Sequence, residues 1–221
     1  MSSSAKKLLG IAVVLAGAGV AIGFYIVGFL MGGPSAFHSA VSAKGVNLTI
    51  QTVAAVGPTL SPNPDWVSYV VLDNQHRWRR TTIWSLPAHT IVHVTIYQYD
   101  GDSGLRNPFM AKVRGTIGNN MQVNGKTMNA IDPDDASHTF AVPALGLIVP
   151  LKGVADDAKN QCGSAPCTQA QAHNTITFTF KTPGKGRYRW QCFVPCAAGF
   201  LAGFGGPMQT LGYMDGFLNV A

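Results

Sequence analysis

The sequence predicts an all-β sandwich domain behind a single N-terminal membrane helix, and three observations predict it. The pair Lys6 and Lys7 is followed by a 24-residue uncharged run, residues 8–31, of apolar residues and Gly. Beyond that run, short stretches alternate apolar and polar residues strictly, as in TIVHVTIYQY at 90–99 and NTITFTF at 174–180. A period of two puts every second side chain on the same face of a strand. Finally, all ten acidic residues are Asp, with no Glu, while Gly (25) and Pro (13) are abundant. This composition disfavours a helical bundle and suits short strands joined by turns.

In chain order, residues 1–7 form a short cytoplasmic N-terminus and 8–31 the membrane helix. At 1.5 Å per residue such a helix is about 36 Å long, enough to cross a hydrocarbon core of about 30 Å. The lysine pair before it places the N-terminus inside the cell and all that follows on the exterior, periplasmic side. A cleaved signal peptide competes, with Val41-Ser42-Ala43 as its small-residue site. The apolar run is longer than a usual signal core and the site lies far past its end, which favours a retained anchor. Gly19/Gly23 and Gly28/Gly32 have the spacing that lets a second helix approach. Residues 32–45, rich in Gly, Ser and Ala, read as a linker.

The exterior domain spans 46–221. Strands are predicted over 46–56, 66–72, 90–99, 174–180, 187–192 and 216–220. They are separated by turn signals at Pro62/Pro64, Asp100-Gly101, Asn124-Gly125 and Pro183-Gly184. Residues 153–172 are polar, carry Cys162 and Cys167, and read as an insertion loop. Several classes are excluded. Apolar content of 47% is too high for a disordered chain. The net charge is +6, but no basic run exceeds two residues, so nucleic acid is not expected as a partner. Neither a Ser-His-Asp set nor a carboxylate pair offers itself, so no self-contained enzyme site is predicted.

Two segments carry chemistry. The first is Asp135-Ala136-Ser137-His138-Thr139-Phe140, running on through Val142, Pro143, Leu145 and Gly146. The second runs from Gly186 through Tyr188, Trp190, Cys192, Phe193 and Cys196 into a Gly-rich stretch ending at Gly206-Pro207-Met208. Imidazole and thiolate suit copper, and a thioether suits a weak axial position. His138, Cys192, Cys196 and Met208 are therefore the candidate metal ligands.

On these residues the chain resembles the cupredoxins, and within them the exterior domain of subunit II of heme–copper (cytochrome c) oxidases. The first segment matches D-x-x-H-[ST]-F-x-V-P-x-L-G through Asp135, His138, Thr139, Phe140, Val142, Pro143, Leu145 and Gly146. The second matches G-x-Y-x-x-x-C-x-x-x-C through Gly186, Tyr188, Cys192 and Cys196. The resemblance covers about residues 85–221 and implies a cupredoxin-like Greek-key β-sandwich. It further implies copper as cofactor, electron transfer as function, and a place in a respiratory membrane complex. In that family a second His and a Met follow the second Cys and complete a dinuclear centre. Here those positions hold Phe200 and Gly203, and no His follows His173.

Three states of the Cys192/Cys196 pair therefore stand open. The pair binds a single copper or an incomplete dinuclear centre, or it forms a disulfide in a metal-free structural subunit, or it is a reduced remnant. Copper storage or delivery is a further reading. Phe140, Trp190, Phe193 and Phe200 are placed to shield a copper centre. The expected partners are other membrane subunits of an oxidoreductase complex and a cytochrome or other redox protein. Residues 32–221 hold only 24 charged positions in 190, about half the usual share for soluble domains, as suits a surface partly covered by such subunits.

Other residues carry weaker signals. Cys162 and Cys167 are expected to form a local disulfide, with a metal site including His173 as the alternative. His89 and His93 would face the same side of a strand. Arg77, Arg79 and Arg80 cluster around Trp78, as a solvated loop or a docking point for an acidic partner. Asn47-Leu48-Thr49 matches a glycosylation triplet.

Overall fold

The computed structural model describes residues 2–26, 37–38, 40–42, 45–60, 64–196 and 206–221. The chain divides into two compact units, Met1–Gly33 and Pro34–Ala221. In the first, an α-helix runs over Ser3–Tyr25, capped by Ser2, whose side-chain oxygen accepts from the Ala5 amide at 3.2 Å. Such a cap satisfies one of the N–H groups that a helix start leaves without a partner. The helix begins five residues before the predicted start and takes in both lysines. Residues 27–31 and the pair Gly28/Gly32 lie outside the described residues. Over Ser4–Tyr25 the mean hydropathy is 2.2, which fits a membrane anchor and a signal sequence alike.

The second unit is a two-sheet β-sandwich. Its strands are β1 (Phe37–His38), β2 (Ala40–Ser42), β3 (Gly45–Val53), β4 (Ser68–Leu72), β5 (Trp78–Arg79), β6 (Ile83–Leu86) and β7 (Ile91–Gln98). There follow β8 (Met121–Val123), β9 (Lys126–Met128), β10 (Ala136–Val142), β11 (Leu147–Lys152), β12 (Asn174–Lys181), β13 (Gly186–Gln191) and β14 (Asp215–Val220). One sheet has the order β1-β6-β14-β13-β10-β11. The other has β5-β4-β3-β7-β12-β8-β9, with β2 on β3.

The predicted alternation at β7 and β12 is what the structure uses. Val92, Val94 and Ile96 face inward, as do Ile176, Phe178 and Phe180, while Ile91 and His93 face out. The two strands pair antiparallel over their full lengths, from Asn174↔Gln98 to Lys181↔Ile91. His89 sits before β7 at a positive φ of 54°, so it does not share the strand face of His93. Trp84, Trp190, Tyr69 and Phe140 fill the space between the sheets, each at 0% exposure. The last strand, β14, lies between β6, which it pairs in parallel, and β13, which it pairs antiparallel. The C-terminal residues thereby lock the ligand-bearing sheet.

The insertion loop is pinned as expected. Cys162 and Cys167 form a disulfide, and the Gln51 side chain bonds the Cys167 backbone in both directions, at 2.7 and 3.1 Å. Closing so short a loop limits the unfolded chain by about 2 kcal/mol in the chain-entropy treatment. The double variant Cys162→Ser/Cys167→Ser is expected to lose about that much stability, read as a lower denaturant midpoint with unchanged slope. Two of the three clustered arginines are paired, and the buried Nε of Arg80 has no hydrogen-bond partner. Asp73 accepts from Arg77 Nε at 3.3 Å and Arg79 Nε at 2.9 Å, and Arg80 lies over the Tyr213 ring at 4.4 Å. Desolvation is outweighed by the Arg79 bond and further bonds from Arg77 and Gln75, so the Asp73 carboxyl is held at about 2.

Candidate metal centre

Three of the four predicted ligands converge. β10 and β13 are neighbours in one sheet, bridged at Ala141↔Gln191. This pairing sets His138, three residues before Ala141, beside Cys192, which directly follows Gln191. His138 Nδ1 lies 3.2 Å from Cys196 Sγ and 3.8 Å from Cys192 Sγ. The two sulfurs are unbonded and 3.0 Å apart. All three side chains are buried, at 2%, 0% and 4% exposure for His138, Cys192 and Cys196. Among the described residues, no other His, Cys, Asp or Glu group could gather a metal ion.

Local hydrogen bonds explain the placement. Thr139 ties the two ligand segments together. Its amide points at Cys192 Sγ at 3.5 Å, and its hydroxyl oxygen accepts from the Phe193 amide at 2.8 Å. Its carbonyl accepts from the buried Tyr69 hydroxyl at 2.9 Å. The Cys192 amide donates to the Met214 carbonyl at 3.0 Å. Met208 sits in the short 3-10 turn Pro207–Gln209, half-buried, and its carbonyl accepts from Gln191 Nε2 at 2.9 Å. Both methionines are therefore tied by backbone to the segment that bears the thiols. Phe200 and Gly203 lie outside the described residues. Phe140 and Trp190 are buried as expected, whereas Phe193 is 37% exposed and so does not enclose the cluster.

The other ring nitrogen, His138 Nε2, meets Asp100 Oδ2 at 3.0 Å. Sequence spacing did not show this contact, because Asp100 lies 38 residues away in what reads as an ordinary Asp-Gly turn. The aspartate of the ligand motif, Asp135, instead holds Lys152 Nζ at 2.6 Å.

The electrostatics follow from burial opposed by close partners. Burial pulls the His138 imidazole down, but bonds and charges from Asp100 and Cys192 outweigh it and leave it at about 9. Burial likewise pushes the Cys192 thiol up, yet the Cys196 hydrogen bond and the His138 charge bring it well below the usual thiol range. Cys196 goes the other way, raised by the bond it donates to Cys192 and then by burial. The buried Tyr69 phenol is also raised, by desolvation first and then by the two sulfur charges. Two sulfurs and an imidazole are donors that suit soft thiophilic ions, copper among them.

The fold is thus a mixed two-sheet β-sandwich with a partial His/Cys cluster, able to hold a metal ion, at the end of β10 and β13. No family model and no curated protein matches the chain. Among solved structures it is similar to the copper protein rusticyanin, at 14% identity over 83% of this chain and 86% of that one, with a TM-score of 0.35. Rusticyanin from Thiobacillus ferrooxidans gives 14% identity over 81% and 79%, with a TM-score of 0.33. A chain of a heme–copper terminal oxidase dimer gives 13% identity over 99% of each, with a TM-score of 0.36. These likenesses are loose, so what the site does rests on its own residues.

Proposed function

We propose that the chain is a membrane-anchored, cupredoxin-like subunit of an oxidoreductase assembly that passes electrons through a copper site. His138, Cys192 and Cys196 are its ligands and Met208 its axial thioether. One observation carries this reading: two unbonded sulfurs, buried, with an imidazole nitrogen facing both at 3.2 and 3.8 Å. Copper held there supplies one-electron chemistry. The protein contributes covalent thiolate donation, a rigid frame from paired strands, and exclusion of water.

A second reading is a metal-free structural subunit with Cys192 and Cys196 joined. It is favoured by donor count, since only three donors converge among the described residues where a dinuclear centre needs more. The 3.0 Å between the sulfurs also lets them join with little movement. On donor count this reading is the better supported of the two. Copper storage or delivery would use the same ligands with looser geometry. The resemblance to oxidase subunit II and the low charge content support other membrane subunits, and a cytochrome or other redox protein, as partners.

Copper titration of the detergent-solubilised full chain, with a thiol count under denaturing conditions, separates these readings. Electron transfer predicts visible thiolate-to-copper bands and two titratable thiols without reductant. A colourless protein with no free thiol until reduced establishes the structural reading and sinks the first. A colourless protein that holds Cu(I) tightly assigns it to storage or delivery.

A further inference from the structure

We infer that Asp100 is the positioning residue of the metal centre, fixing the His138 ring so that Nδ1 presents its lone pair to the ion beside the thiolates. This rests on the copper-binding reading above and deepens it. An imidazole has two nitrogens, and the partner of one decides what the other does. With Nε2–H given to Asp100 Oδ2 at 3.0 Å, Nδ1 is the nitrogen left facing the sulfurs. Without Asp100 the ring loses the contact that fixes its tautomer and its rotation. Nδ1 would then be free to turn away from Cys196 Sγ, which it now faces at 3.2 Å.

Asp100 is built to hold still. Its other carboxylate oxygen accepts from the Gly101 amide at 2.9 Å. Its carbonyl accepts from Gln98 Nε2 at 3.0 Å and from the Val154 amide at 2.9 Å. Val154 belongs to the base of the insertion loop, so the loop reaches the centre through this residue. The approach is close. A Cβ on Gly153 would come within 2.5 Å of the Asp102 nitrogen and 2.8 Å of the Gly101 carbonyl carbon. Only Gly lets the loop base lie against the turn that carries Asp100. Asp135, the acid within the ligand motif, is engaged by Lys152 and plays no such part.

The test uses the full chain in detergent, with Cu(I) affinity measured against a chromophoric chelator. Histidine 15N spectra of the chain loaded with 113Cd, a redox-silent thiophilic ion, give a second readout. In the wild type, metal–nitrogen coupling is expected at His138 Nδ1. Asp100→Asn is expected to weaken Cu(I) binding about 10–100-fold and to lose the preference for Nδ1. Gly153→Ala, which touches no ligand, is expected to move both readouts the same way, and Asp135→Asn neither. Retained Nδ1 coupling and unchanged affinity in Asp100→Asn would overturn the assignment alone. A wild-type chain that takes neither ion overturns the metal reading, and this assignment with it.

Discussion

Trp190→Ala is expected to lower the unfolding free energy by about 3–5 kcal/mol, the range for deleting a fully buried Trp or Phe side chain. The indole is at 0% exposure and lies at the centre of an aromatic group. It stacks on Trp84 at 4.7 Å, meets Tyr69 edge-on at 4.8 Å, and sits 5.6 Å from Phe140. Its Nε1–H donates to the Thr82 carbonyl at 3.1 Å, so the variant leaves a cavity and also costs that carbonyl a partner. Gly216 on β14 makes room for the ring, since a Cβ there would come within 2.7 Å of Trp190 Cε2. Little can collapse into the hole, because the neighbours are paired strands on both sides. Trp66→Ala, removing a half-buried ring that contacts Tyr213 at 5.0 Å, should cost distinctly less. Denaturant unfolding of the two variants side by side checks the order.

Much of the sandwich was legible because some strands bury one face only. β7 and β12 alternate, and their written pattern is the burial pattern. β10 did not read as a strand by alternation, since all seven of its residues are buried. A strand covered on both faces loses its period of two. His138, Cys192 and Cys196 were legible through residue type and spacing. Asp100 was not, because its meeting with His138 depends on where β7 ends relative to β10 in a different sheet. No local spacing encodes that distance. Thr139 was visible as part of a motif, yet its three-way role appears only once β13 lies beside β10.

Cys192→Ser is expected to weaken and shift the thiolate-to-copper absorption, with Cys196 the one cysteine sulfur left, while leaving the fold intact. The position is at 0% exposure, so the serine hydroxyl enters a dry site and must find partners there. The sulfur's present neighbours are the Thr139 amide at 3.5 Å, Cys196 Sγ at 3.0 Å, the Val194 carbonyl at 3.7 Å and His138 Nδ1 at 3.8 Å. These are sulfur-length contacts, and a hydroxyl oxygen on a shorter bond reaches them poorly. An under-satisfied buried hydroxyl costs about 1–3 kcal/mol, well short of unfolding a domain with this core. A weakened, shifted absorption without loss of the cooperative transition would therefore report on the ligand itself. The metal-free reading predicts a different result from the same variant. Without reductant the wild type would show no thiol from this pair and Cys192→Ser would show one, the freed Cys196. Its stability would fall by about 2 kcal/mol, the short-loop cross-link it had lost. The thiol count thus decides between the readings even if the stability changes overlap, because the two states differ by whole sulfhydryl groups rather than by energy.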